Sequence, residues 1–236
     1  GTAVTAAAGS SINFTGGQTY TLSNESNAIA GSVSVGKAGD ATGTKLVLSG
    51  GFGAGSISLA TDQDALELSG ADKELSGELS GNGSLSVTGG TQTLSYANSA
   101  FIGAVSVSGG TLRAGSNTAL GNSDIDVSGT GALDVNGKTL ANKVVLTGGS
   151  LAGGNASSIG DLSVNVAGAA SASVKTTSLT GALSVDNLSL SSYNTFAASD
   201  NLIVRSTMTL GRGARTTVAG NLALGGSLRL DSLITS

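Results

Sequence analysis

The chain has no cysteine, histidine, proline or tryptophan, and only four phenylalanines and three tyrosines among its 236 residues. Without cysteine it has neither a disulfide framework nor a thiolate metal site. With histidine missing too, Ser-His-Asp and Cys-His nucleophiles and ordinary zinc sites are excluded within it. Aromatic residues make up 3% of the chain, so its interior is filled by Val, Leu, Ile and Ala, which suits a narrow core. Charge is sparse as well. Eleven Lys and Arg stand against fifteen Asp and Glu, a net charge of −4. That balance argues against a nucleic-acid partner, which wants a basic face interleaved with aromatics. No apolar run is long enough for a helix to cross a membrane. No phosphate-cradling GxxxxGK[ST] occurs, nor a complete GxGxxG before a helix. The opening GTAVTAAAGSS has neither an initiator Met nor a charged n-region, so no signal peptide is visible and the chain reads as a mature segment or fragment.

What the chain does have is glycine, 38 of them, and a recurring phrase. In residues 105–112, VSVSGGTL, alternation sends Val105 and Val107 to one face and Ser106 and Ser108 to the other, as in a half-buried strand. Gly109 and Gly110 then supply a corner, because glycine reaches positive φ cheaply. The phrase recurs at Leu46, Leu66, Leu85, Ile125 and Val144, with weaker copies at Val164, Leu183, Leu202 and Leu222. Successive copies start at a near-constant interval, the signature of a repeat architecture. The regular apolar stripe also argues against disorder, which a Gly/Ser/Thr-rich composition would otherwise suggest.

A unit of about 20 residues is too short for a pair of helices, and no segment holds an apolar helical period, so each unit consists of strands. Sandwich strands recur at shorter spacing and propeller blades at longer. The expected fold is all-β, a right-handed parallel β-helix (solenoid) of roughly 10–12 coils of about 19–20 residues, each coil made of three short strands and three corners. Residues 1–45 form irregular N-terminal coils. INFTGG at Ile12 and the strand beginning at Val33 fall out of step there. Residues 46–236 form the regular helix, and the whole is a single solenoid domain, a fragment of a larger protein.

Stacked coils repeat each position at strand spacing, so like charges would lie directly opposite one another, whereas Ser, Thr and Asn can ladder. Asn98, Asn117, Asn136 and Asn155 each lie one repeat period after the last, with Asn194 two coils further on. They form either a partial asparagine ladder or a series of ordinary turn residues. Asp62, Asp64, Glu67, Asp72, Glu74 and Glu78 cluster against Lys73 alone. Clustered carboxylates suit a Ca²⁺ site, yet the spacing does not match the 12-residue helix-flanked calcium loop and lacks the glycine-rich aspartate nonapeptides of calcium-binding β-rolls, which favours a solvated face. Asp124, Asp126 and Asp134 would point outward, where an aspartate pair can act as acid and base in a β-helical polysaccharide hydrolase or lyase. No histidine or clustered arginine accompanies them. Arg205, Arg212, Arg215 and Arg229 make the C-terminal stretch mildly basic, a solvated face or a weak attraction for acidic glycans. No catalytic, cofactor-binding or metal residue is assigned, and no cofactor.

Residues 81–121 read GNGSLSVTGGTQTLSYANSAFIGAVSVSGGTLRAGSNTALG. Through Gly81, Gly83, Gly89, Gly90, TQTL at 91–94, Tyr96, Asn98, Phe101, Gly103 and VSVSGGTLRAG, the stretch resembles the autotransporter-associated β-strand repeat. This is also called the passenger-associated transport repeat of Gram-negative type V autotransporters. Ile102 and Val105 stand where that repeat usually carries threonines. The resemblance implies a non-enzymatic passenger segment, exported through the outer membrane to the cell surface or medium. Its first partner would be the β-barrel translocator of the same polypeptide. Other passengers, by self-association, and host-surface or glycan ligands are further expected partners. A β-helical carbohydrate-active enzyme and a direct host-binding adhesin or toxin fragment are the alternatives.

Overall fold

The structure is a computed structural model and describes residues 5–23, 28–50, 55–169 and 172–231. Its elements among these residues are all β, with no helix, and every strand pairing is parallel. The chain divides into two compact units, Gly1–Ser123 and Asp124–Ser236. Each is a parallel β-solenoid, with about ten turns between the two.

In the first unit one side is built from Thr19–Leu22, Lys45–Leu48, Ala65–Leu68, Ser84–Val87 and Val105–Val107, each opposite the next. Alternation puts every second side chain inside. Tyr20, Leu46, Leu66, Leu85 and Val105 stack in one column and Leu22, Leu48, Leu68, Val87 and Val107 in a second. The Leu and Val residues of these columns are buried, which removes apolar surface from water coil by coil. A second side is built from Lys73–Leu75, Thr91–Leu94 and Thr111–Ala114. The third is built from Ser11–Phe14, Ser32–Val35, Ser56–Leu59 and Leu79–Gly81.

That third side explains the N-terminal phrases that fall out of step. Ile12 and Val33 belong to strands of a different side from Leu46, and are opposite each other in it. The side that holds Leu46 begins at Thr19, and the step from Thr19 to Lys45 is longer than the next one, from Lys45 to Ala65. The extra length of this early coil hides the period.

The corner after the first side uses the second glycine of the pair. Gly90 and Gly110 have φ of 62° and 67°, and a Cβ on Gly110 would sit 2.3 Å from the Gly90 carbonyl oxygen. No larger residue fits between coils at that corner.

In the second unit the corresponding strands are Ile125–Val127, Val144–Leu146, Leu162–Val164, Leu188–Leu190, Thr207–Leu210 and Ser227–Leu230. A second side runs through Ala132–Asp134, Ser150–Ala152, Lys175–Thr180, Asn194–Ala198 and Arg215–Val218. The third holds Ser158–Ile159, Leu183–Val185, Leu202–Val204 and Leu222–Leu224. Here the sequence register needs correction. The copies at Leu183, Leu202 and Leu222 do not continue the side occupied by Ile125 and Val144. They lie on the third side, while Leu188–Leu190 continues the first. The coil from Leu162 to Leu188 is longer than the one from Val144 to Leu162, because residues 165–174 are inserted before Lys175–Thr180. The copy read from Val164 begins at the last residue of Leu162–Val164, and this even shift leaves inward and outward positions unchanged.

Candidate functional site

The acidic stretch of the first unit does not converge. Asp64 is buried, and its carboxylate accepts from the Thr44 N–H, the Thr61 N–H and the Thr61 hydroxyl, each at 2.8 Å. This is a staple across coils. Its oxygens are already occupied by neutral donors, as burial of a charge requires. Gly36 makes room for it, since a Cβ there would lie 1.9 Å from Asp64 Oδ2. Glu67 pairs with Lys45 at 2.6 Å and accepts from the Thr88 hydroxyl at 3.2 Å. Asp72 accepts from the Thr91 N–H at 2.6 Å, and Glu74 from the Ser95 hydroxyl. Asp62 is exposed. Among the described residues no group of three or more acidic side chains is placed to hold a metal ion.

The aspartates of the second unit are separated in the same way. Asp126 accepts from the Thr147 hydroxyl at 2.9 Å, Asp134 from the Asn136 N–H at 2.9 Å, and Asp124 lies 3.9 Å from Lys143 Nζ. Asp126 and Asp124 point outward, as alternation predicts. Each has a different partner.

The regularly spaced asparagines occupy different environments. Asn98 is buried, accepts from the Leu79 N–H at 2.8 Å and donates to the Ala119 carbonyl at 2.7 Å, linking the coils on either side of it. Asn194 is buried and accepts from the Val166 N–H at 2.9 Å. Asn117, Asn136 and Asn155 are exposed at turns, with Asn136 at a φ of 52°. The buried asparagines link to backbone, as capping amides do, while the exposed ones hold turns. Of the arginines, Arg205 pairs with Asp186 at 2.8 Å and Arg229 with Asp231 at 2.9 Å.

A concavity with several convergent polar groups lies on the third side of the second unit, where Asn155 of the asparagine series and Arg205 of the basic stretch come together. The chain turns through residues 153–157, with Ala156 at a φ of 66°, before entering Ser158–Ile159. The Ser184 N–H donates to the Ser157 carbonyl and fixes this turn against the sheet. Beside it runs an open groove of about 290 Å³, lined in part by Asn155, Ser184, Asn201, Ile203 and Arg205. Ser184 and Ile203 are register neighbours on the outward face. A further signal for it in the sequence is the triplet Leu202-Ile203-Val204. Where the copies at Leu183 and Leu222 read LSV and LAL, its middle residue is a large apolar side chain that alternation sends outward.

Comparison with known protein families, with curated proteins and with solved structures finds no match to this chain. The class the coordinates define is therefore architectural: a parallel β-solenoid, several of whose carboxylates link neighbouring coils.

Proposed function

We propose that the chain is a non-enzymatic segment of a surface-displayed autotransporter passenger, a β-solenoid stalk that promotes folding and export of the polypeptide carrying it. What supports this reading is residues 81–121. The stretch that resembles the transport repeat occupies two successive coils, with Leu85 opposite Val105 and Thr91 opposite Thr111. Its Asn98 and Phe101 are both buried at the third side, where Phe101 bridges Gly81.

The mechanism is physical. In a solenoid each coil contacts chiefly its neighbours, so a formed coil offers an edge on which the next can pair. A polypeptide emerging from its translocator would gain buried apolar surface with every coil added outside, and sliding back would first require unpairing it. Lack of cysteine keeps the chain free of cross-links while it is threaded. Adhesion or self-association through exposed Ser, Thr and Asn would be a separate, multivalent property of the displayed rod.

The test is to remove residues 81–120 from the parent protein. This span equals the step from Leu85 to Ile125, and its loss puts Gly121 where Gly81 stood. A fall in surface-displayed passenger, with binding and aggregation per displayed molecule unchanged, supports the transport role. Unchanged display with loss of aggregation or binding overturns it and makes these coils a contact surface.

A further inference from the structure

The groove on the third side of the second unit is built from groups with unused hydrogen-bonding capacity. Asn155 is exposed, and its side-chain amide has no partner among the described residues; the same holds for the Ser184 hydroxyl. Asn201 uses its side-chain oxygen to accept from the Asn221 N–H at 2.8 Å, which leaves its amide nitrogen available. Arg205 commits Nη1 to Asp186, and the rest of its planar guanidinium edge stays half exposed beside the groove. Between these polar groups Ile203 is 42% exposed.

Each feature narrows the ligand. A guanidinium donates along its planar edge, an amide offers a donor beside an acceptor, and a hydroxyl both donates and accepts; together they match a ligand presenting several adjacent hydroxyls. Ile203 offers an apolar surface of a size that suits a face of C–H groups. The charge of Arg205 is balanced by Asp186, so nothing here selects an anion. No aromatic ring lines the groove, which removes the stacking platform a nucleobase would need. Its volume lies at the bottom of the range of small-molecule sites, room for a short stretch of a ligand that continues into solvent. From these constraints we propose that the groove is a subsite for a neutral saccharide, held by Asn155, Ser184, Asn201 and Arg205 with Ile203 beneath a ring face. The site is independent of the transport reading above.

A groove this open gives weak binding, with a Kd of about 1 mM. The experiment is a titration of the ¹⁵N-labelled chain, followed by amide NMR, with maltotetraose, cellotetraose, N-acetylchitotetraose and a tetragalacturonate as the charged comparison. The expected result is saturable shifts from at least one neutral tetramer, centred on the amides of Ser184, Ile203 and Arg205. Ile203→Asp, an outward position checked for folding by circular dichroism, should weaken that binding at least about tenfold. Thr217→Asp, exposed on another side, should leave it unchanged. Absence of saturable shifts with every neutral tetramer overturns the proposal. So does binding of the tetragalacturonate alone, or binding that survives Ile203→Asp.

Discussion

Two steps of nearly equal length in the sequence do opposite things in the two units. From Leu85 to Val105, one repeat period carries the chain once around the coil and returns it to the same side. From Val164 to Leu183, a step of almost the same length carries it to a different one. The apolar alternation is the same in both. What differs is the corner chemistry. In the first unit the phrase ends in a glycine pair that closes the corner quickly, and only residues 88–90 separate Val87 from Thr91–Leu94. In the second, residues 165–174 intervene before the next side starts. A period in the sequence therefore reports how often a strand is made, not which side of the coil receives it.

Shortening the chain by the same amount in each unit breaks this comparison most sharply. Removing residues 166–172 makes the step from Leu162 to Leu188 equal to the regular step from Ile125 to Val144, and should leave the circular dichroism and the cooperativity of melting essentially intact. Removing the same number, residues 108–114, deletes the strand Thr111–Ala114 and throws every later residue out of phase; cooperative unfolding should be lost. If both deletions behave alike, the register described for the second unit is wrong.

A smaller effect tests the same assignment with one side chain. Leu188 would sit just past a strand if the Leu183 copy belonged to the first side. In the structure it is a core residue, 1% exposed between Leu162 and Met208. Leu188→Ala should therefore cost about 2–5 kcal/mol in denaturant unfolding, as buried leucines do. A loss under about 0.5 kcal/mol, the surface value, would return the residue to a corner.

The smallest expected effect separates asparagines that the sequence presents as equivalent. Asn98→Ala leaves the buried Leu79 N–H and Ala119 carbonyl without their side-chain partner and should destabilise by about 1–3 kcal/mol. Asn155→Ala, at an exposed turn three repeat periods later, should change stability by no more than about 0.5 kcal/mol. Equal losses at the two positions would restore the partial asparagine ladder.

The parallel solenoid was legible because its core obeys one rule. Leu46, Leu66, Leu85, Val105, Ile125 and Val144 all start or enter strands of the first side of their unit, as the phrase predicted. The third side was not legible. Its strands, such as Leu183–Val185, read in-out-in like those of the first, and so short a strand carries no mark of the side it occupies. The corner glycines were anticipated, though only the second of each pair takes positive φ at Gly90, Gly110 and Gly149. The roles of the acidic residues were hidden for another reason. Asp64 and Asp62 look alike in sequence, and only the approach of Thr44 from the preceding coil decides that one is a buried staple and the other is exposed. The saccharide groove was missed because it depends on a turn and two strands that are distant in sequence.

The links from carboxylate to the following coil have a bearing on order as well as cohesion. Leu and Val columns are interchangeable, and a coil could pair with the wrong neighbour and still bury its core. Asp126 with Thr147 and Asp186 with Arg205 are not interchangeable, because the equivalent positions one coil further on are Asn165 and Gly225, which carry neither that hydroxyl nor that guanidinium. A skipped coil would leave Asp186 without its guanidinium partner and Asp126 without its hydroxyl. The few charges this chain retains thus act as addresses, telling otherwise anonymous coils which one comes next.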